Sequence, residues 1–196
     1  MKSHKSLAAV FFSFLAMTAL ALPSVMTAQP RLMGSEATPA PALAQTRFFI
    51  TIEGTKQGKF KGEGRGPMNS DKIAGLKFFY EVSAPRDPAT GLPTGRRQHR
   101  PVVITKEWGA ATPQLFEALT NNEVLKSVVF EFFRPTQMGQ EQVYQVIKLT
   151  NASISNIKQY TDTESTAELE DVAFSFQQIE IQNVPGRTAA IDNWTR

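Results

Sequence analysis

A chain of 196 residues with no cysteine and 41% hydrophobic residues has room for one domain with its own core, and it excludes disulfides, thiol catalysis and cysteine metal sites. Its 21 basic and 18 acidic residues give a formal charge of +3, which falls to +1 once residues 1–44, with three of the bases and one of the acids, are set aside. So small an excess speaks against nucleic-acid binding, which calls for a strongly basic face.

Those first residues read as a leader. Lys2, His4 and Lys5 precede an apolar run from Leu7 to Leu22, and Pro23 ends it. Charge, apolar run, then small residues is the order of a secretory signal peptide. The run is shorter than the roughly 20 residues a spanning helix uses. An uncleaved anchor is the alternative, and the membrane would then be met only there. Residues 1–28 are assigned to the signal, with cleavage after Ala28 or as late as Ala44, and Met33 is an alternative start. Residues 29–45, rich in Pro and Ala, read as a flexible linker, and residues 46–196 as the folded domain.

From there the pattern is that of strands. Residues 47–54 alternate, with Phe48, Ile50 and Ile52 on one face and Phe49 opposite, and stop at Gly54. Residues 56–67 carry four glycines and read as a hairpin turn or mobile loop. Residues 72–83 are apolar-rich and predict one long strand with a bulge at Gly75. Residues 84–101, with Pro85, Pro88, Gly91, Pro93 and Gly95, predict a long structureless loop, which is uncommon unless it carries function.

A short strand is expected over residues 101–108. One helix follows, with Thr112 as its N-cap, Pro113 at the first helical position, Leu115, Ala118 and Leu119 at helical spacing, and Asn121-Asn122 at a left-handed end. Strands resume over residues 125–135, 141–160 and 167–184, and Val128, Phe130 and Phe132 read as core. In the last of these, Phe174 and Phe176 share one parity and Ile179 and Ile181 the other, so the strand bends or changes sheet between them. The sum is a mainly β fold: a compact antiparallel barrel or sandwich of two sheets with one short helix on its side.

Chemistry is sparse. His99 is the lone histidine of the domain and reads as a loop histidine bonded to its neighbours, not as a zinc ligand. Ser70, Ser83 and Ser127 lack the Gly-x-Ser-x-Gly elbow of a serine hydrolase. Glu168, Glu170 and Asp171 read as a solvated strand start, not as an acid and base pair. The glycines of residues 58–66 are not followed by the Gly-Lys-Ser/Thr of a phosphate cradle. The sequons at Asn151 and Asn193 matter only in a glycosylating host.

No spacing implies a metal or cofactor, and no enzyme is expected; the weakest reading is a hydrolase using His99 with Glu107 or Asp87. A further alternative is an exported β-barrel binding a small ligand or peptide, which a continuous apolar lumen would favour. The cluster Arg96, Arg97, His99 and Arg100 is either a solvated loop or a set of guanidinium forks that clasp carboxylates on a neighbouring subunit.

At this stretch the chain resembles the haemolysin-coregulated protein (Hcp) family, the tube subunit of type VI secretion systems. The resemblance rests on Gly91, Thr94-Gly95, Arg97, His99, Pro101 and Thr105-Lys106-Glu107, nine positions within seventeen at fixed spacing. It continues in Pro113, Leu115 and Ala118, in Leu125-Lys126-Ser127, in the late strands and in Asp192-Asn193-Trp194, which is similar to the family's Asp-Ser-Trp ending. It implies a hexameric ring whose copies stack into a tube, expelled by a contractile sheath and tipped by a spike protein, with small effectors in the lumen. The partners implied are thus the chain itself, then spike, sheath and effectors, in an exported, periplasmic or secreted protein of a Gram-negative type of bacterium. Ring or stacking contacts are expected at Arg97, His99, Arg100, Lys106 and Glu107. The chain departs from the family in its leader and in Trp108-Gly109-Ala110-Ala111, where members often have a more polar turn.

Overall fold

The structure is a computed structural model that describes residues 48–64, 69–161 and 167–194. The expected signal (1–28, or as far as 44) and linker (29–45) lie outside the described residues.

Two antiparallel sheets pack face to face. In the first, β1 (Phe48–Gly54) lies between β2 (Ile73–Gly75) and β7 (Leu125–Pro135). β8 (Glu141–Thr161) follows, then β10 (Gln178–Asn183) and β11 (Thr188–Asn193) at the far edge. In the second, β3 (Lys77–Phe79) pairs with β6 (Val102–Glu107), β6 with β9 (Glu168–Ser175), and β9 with the latter part of β8. A two-residue ladder, β4 (Val82–Ser83) with β5 (Gln98–His99), stands apart. The ladder does not close on itself between β2 and β3, so the fold is a sandwich and not a closed barrel.

β8 belongs to both layers. Residues from Glu141 to Ala152 pair with β7, whereas Ser153 to Thr161 pair with β9. The switch falls at Asn151, whose φ of +49° is left-handed, a conformation that asparagine tolerates better than most side chains. The parity change read between Phe176 and Ile179 has the same meaning: β9 lies in the second sheet, β10 in the first.

Residues 72–83 are not one strand. The chain pairs with β1 up to Gly75, then steps across so that the Leu76 N–H bonds Thr105 in the other sheet, and β3 and β4 follow. Gly75 is needed less as a bulge than as a gap, since a Cβ there would lie 2.1 Å from the Phe48 ring. Phe48 in turn stacks on Phe132 with centroids 5.2 Å apart, and Phe78 meets both edge-on. Around them Ile50, Ile52, Val128, Phe130, Leu149 and Phe174 fill the space between the sheets, each worth roughly 1.5–3 kcal/mol of burial.

The helix α1 (Thr112–Thr120) lies against β8 and buries Leu115 and Ala118. Thr112 is its first residue and not its N-cap. Ala111 takes that position without a side-chain bond, while the Thr112 hydroxyl accepts the Gly109 N–H at 3.0 Å and donates to Glu170 at 2.8 Å. The bond to the buried carboxylate fixes the hydroxyl's orientation, and its lone pair is left to the Gly109 N–H of the preceding turn. Asn122, at φ +49°, ends the helix as expected.

Candidate functional site

Residues 84–107 fall into three parts, two at the surface and one buried. The first is an arm. The segment expected to be structureless is an internally bonded hairpin: the Asp87 N–H donates to Leu92 O at 2.9 Å, the Gly91 N–H to Asp87 O at 2.8 Å, and the Thr94 N–H to Pro85 O at 3.0 Å. Asp87 also accepts the N–H groups of Ala89 and Thr90 at 2.9 and 2.7 Å. The Thr90 N–H, with its hydroxyl, holds that carboxyl below its ordinary range. Gly91 turns the tip at φ +71°, and Leu92 stands 64% exposed. Proline and glycine made the segment look irregular, yet they fix a tight turn whose polar groups satisfy one another.

The second part is a clamp at the root of the arm. His99 is buried on β5, and its two ring nitrogens meet the Tyr80 hydroxyl at 2.6 Å and an Asp192 carboxylate oxygen at 2.9 Å. Because Asp192 can only accept, Nε2 carries a proton, and Nδ1 of the neutral ring accepts from Tyr80. Arg97 grips the same Asp192 with Nε and Nη2, and its Nη2 also donates to Asn193 O at 2.9 Å. The hydrogen bonds from Arg97 hold Asp192 below its usual range against partial burial, with His99 adding to the effect. Burial, and then the Asp192 charge, push the Tyr80 hydroxyl up. Trp194 and Phe176 close round His99, with centroids 5.4 and 5.7 Å from it. An open depression of about 360 Å³ beside the clamp is lined by Arg97, Gln178, Ile191, Asp192 and Asn193.

The third part is interior. Lys106 has no exposed surface; its Nζ donates to Glu170 Oε1 at 2.9 Å and to Glu107 O at 2.6 Å. Glu170 is equally buried, and Gln159 donates to its other oxygen at 3.1 Å. So Glu168-Leu169-Glu170-Asp171 is not a wholly solvated strand start: Glu168 and Glu170 share a face of β9, but Glu168 lies at its exposed end, whereas Glu170 is buried two residues further in, where β6 supplies the cation. Glu63 approaches Lys106 from the rim at 3.9 Å and accepts the Ala110 N–H at 2.8 Å.

The expected contact residues are therefore not equivalent. Arg97 and His99 serve the clamp, and Lys106 is internal. Arg100 lies on the surface in an ion pair with Glu81 at 3.2 Å, and Arg96 and Glu107 are exposed. Neither Glu107 nor Asp87 meets His99, and both of its nitrogens are engaged away from Ser70, Ser83 and Ser127, so the arrangement offers no activated nucleophile. Among the described residues no three acidic or histidine side chains gather as for a metal ion.

Sequence reasoning missed Tyr80, Glu170 and Glu123. Glu123, 2% exposed, accepts the Lys56 and Gln57 N–H groups at 2.6 and 3.0 Å and ties the turn after β1 to the end of α1. Burial pushes its carboxyl up, but those donors outweigh burial and hold it low. The hint was its place directly after the helix end and just before the apolar start of β7, where a buried acid wants donors.

Comparison with known proteins agrees with this architecture. A curated relative from Pseudomonas aeruginosa, called a major exported protein, is 34% identical over 164 residues, spanning 76% of this chain and 95% of its own length. The crystal structure of an Hcp protein superposes with a TM-score of 0.71 at 27% identity, over 76% of this chain and 99% of that one. The secreted protein Hcp3 from Pseudomonas aeruginosa follows at 0.65 and 31%, over 76% and 98%. The model of the family described as "Type VI secretion system effector, Hcp" matches residues 49–182. With two thirds of its length matched to that model, the chain belongs to the Hcp family of type VI secretion proteins.

Proposed function

We propose that this protein is a non-catalytic structural subunit that assembles with itself into six-membered rings, and that stacked rings form an expelled tube able to carry small effectors. The observation that carries this reading is the match of residues 49–182 to the Hcp family. Sheath and spike are then its machine partners. The name of the Pseudomonas aeruginosa relative supports export.

The surface supports self-assembly. A ring needs two different, complementary patches on each subunit. Exposed apolar side chains stand at separate places: Leu92 on the arm, Phe79 and Val82 beside the second sheet, Ile191 and Trp194 on and after β11. Of the expected contact residues, Arg100 and Glu107 are exposed and lie outside the clamp, and on this reading they are the ones that meet a neighbour.

The test is the native mass of the chain without residues 1–44, with electron microscopy of the same sample. Six subunits in a ring are expected. A monomer at micromolar concentration would overturn the assembly reading and leave an exported sandwich, whose ligand would then be sought at the depression beside Asp192.

A further inference from the structure

The arm is stiff within itself but weakly rooted. Its two ends enter and leave through β4 and β5, a ladder of only two residue pairs, Val82 with His99 and Ser83 with Gln98, and Val82 and Ser83 are exposed. Such a ladder buries too little to fix the direction of a hairpin that extends from residue 84 to residue 97. What the exit strand has in addition is the buried His99, bonded to Tyr80 and packed by Phe176 and Trp194, and the one carboxylate that ties it to Arg97: Asp192, a residue more than ninety positions later, receives Arg97 and His99 together. Asp192 is itself borne on β11, which pairs with β10 alone, and whose residues from Thr188 to Ile191 are exposed.

We propose that Asp192 is a positioning residue for assembly: through Arg97 and His99 it sets the angle at which the arm leaves the body of the subunit. This rests on the ring-forming reading. A rigid lever amplifies a small error at its root into a large displacement at Leu92, so a loosened clamp costs contacts between subunits while the sandwich stays folded.

The experiment is hydrogen exchange on the whole chain, wild type against Asp192→Asn, Asp192→Glu and Arg97→Gln, with native mass measured on the same samples. Asp192→Asn keeps the shape and removes the charge that binds Arg97 and His99. Its expected effect is exchange about tenfold faster or more at the root of the arm, residues 82–83 and 98–100, with the bonds inside the arm and β1 and β7 unchanged, and a rise of similar size in the concentration needed for assembly. Arg97→Gln, which leaves the His99 bond in place, moves both readouts in the same direction by less, and Asp192→Glu restores part of the loss. Exchange at the root equal to wild type would overturn the proposal. So would faster exchange spread evenly over β1 and β7, which marks a merely structural residue. A wild-type chain that never assembles overturns the ring reading and the assembly role with it, whereas faster exchange at the root in the variant would still uphold the clamp.

Discussion

Replacing Glu170 by glutamine isolates the charge of the buried ion pair under α1. Lys106 and Glu170 are both fully buried, with Nζ and Oε1 2.9 Å apart, so the variant leaves an ammonium group in the interior with neutral acceptors, the amide oxygen, Glu107 O and the Thr112 hydroxyl, and no carboxylate but the half-exposed Glu63 at 3.9 Å. Removing one partner of such a pair costs about 3–5 kcal/mol. For a domain of this size each kcal/mol is worth roughly 2–4 °C, so the midpoint of melting should fall by about 10 °C. Glu63→Gln should cost less than about 1 kcal/mol, because that contact is long and reaches solvent. The double replacement Lys106→Met with Glu170→Leu should recover most of the loss, since a packed apolar pair is often as stable as a buried ionic one. Urea unfolding followed through Trp108, whose indole N–H donates to Leu169 O at 2.9 Å, reads all of these. A cost below about 1 kcal/mol for Glu170→Gln would refute the reasoning, because it would mean that the charge is not held out of water.

Three further outcomes follow from the same coordinates. The folded Asp192 titrates below its ordinary value, so the clamp is complete above the usual carboxylate range and is lost as pH falls through the lowered value; the protection of the arm's root, taken relative to the intrinsic exchange rate at each pH, should hold above about pH 5 and fall below it, a limb that Asp192→Asn removes. Asn151→Val places a β-branched residue at φ +49° and should cost about 1–2 kcal/mol in thermal melts, whereas Asn151→Gly should change little. Gly75→Ala drives a methyl into the Phe48 ring and should cost about 1–3 kcal/mol, with partial recovery in Phe48→Leu on the same background.

Much of the sandwich is legible in alternation alone. β1, β6 and β7 show an apolar face because that face meets the opposite sheet, and the parity change after Phe176 marks a true change of layer. What alternation does not report is a change of hydrogen-bonding partner. Residues 72–83 remain apolar while they pass from β1 to β6, so the break at Leu76 is invisible in the pattern. β11 was not foreseen, because Thr188-Ala189-Ala190-Ile191 is exposed throughout and has no inner face to imprint. Lys106 and Glu170 read as surface charges, since each looks unpaired until a partner 64 positions away is brought beside it. Asp192 stood out only through its likeness to a family ending, for the same reason: His99 and Arg97 meet it across more than ninety residues.

One backbone serves two layers. Since β8 is bonded first to β7 and then, past Asn151, to β9, the sheets are spliced by covalent chain as well as by the side chains between them. Shear that would slide one sheet over the other is carried along that strand as tension, where peptide bonds resist it, and not by apolar contacts that slip. The sandwich should therefore yield mechanically as one piece, and its weakest direction should be peeling from the β11 edge, where one ladder and the contacts of Asp192, Asn193 and Trp194 with the arm's root hold the last strand.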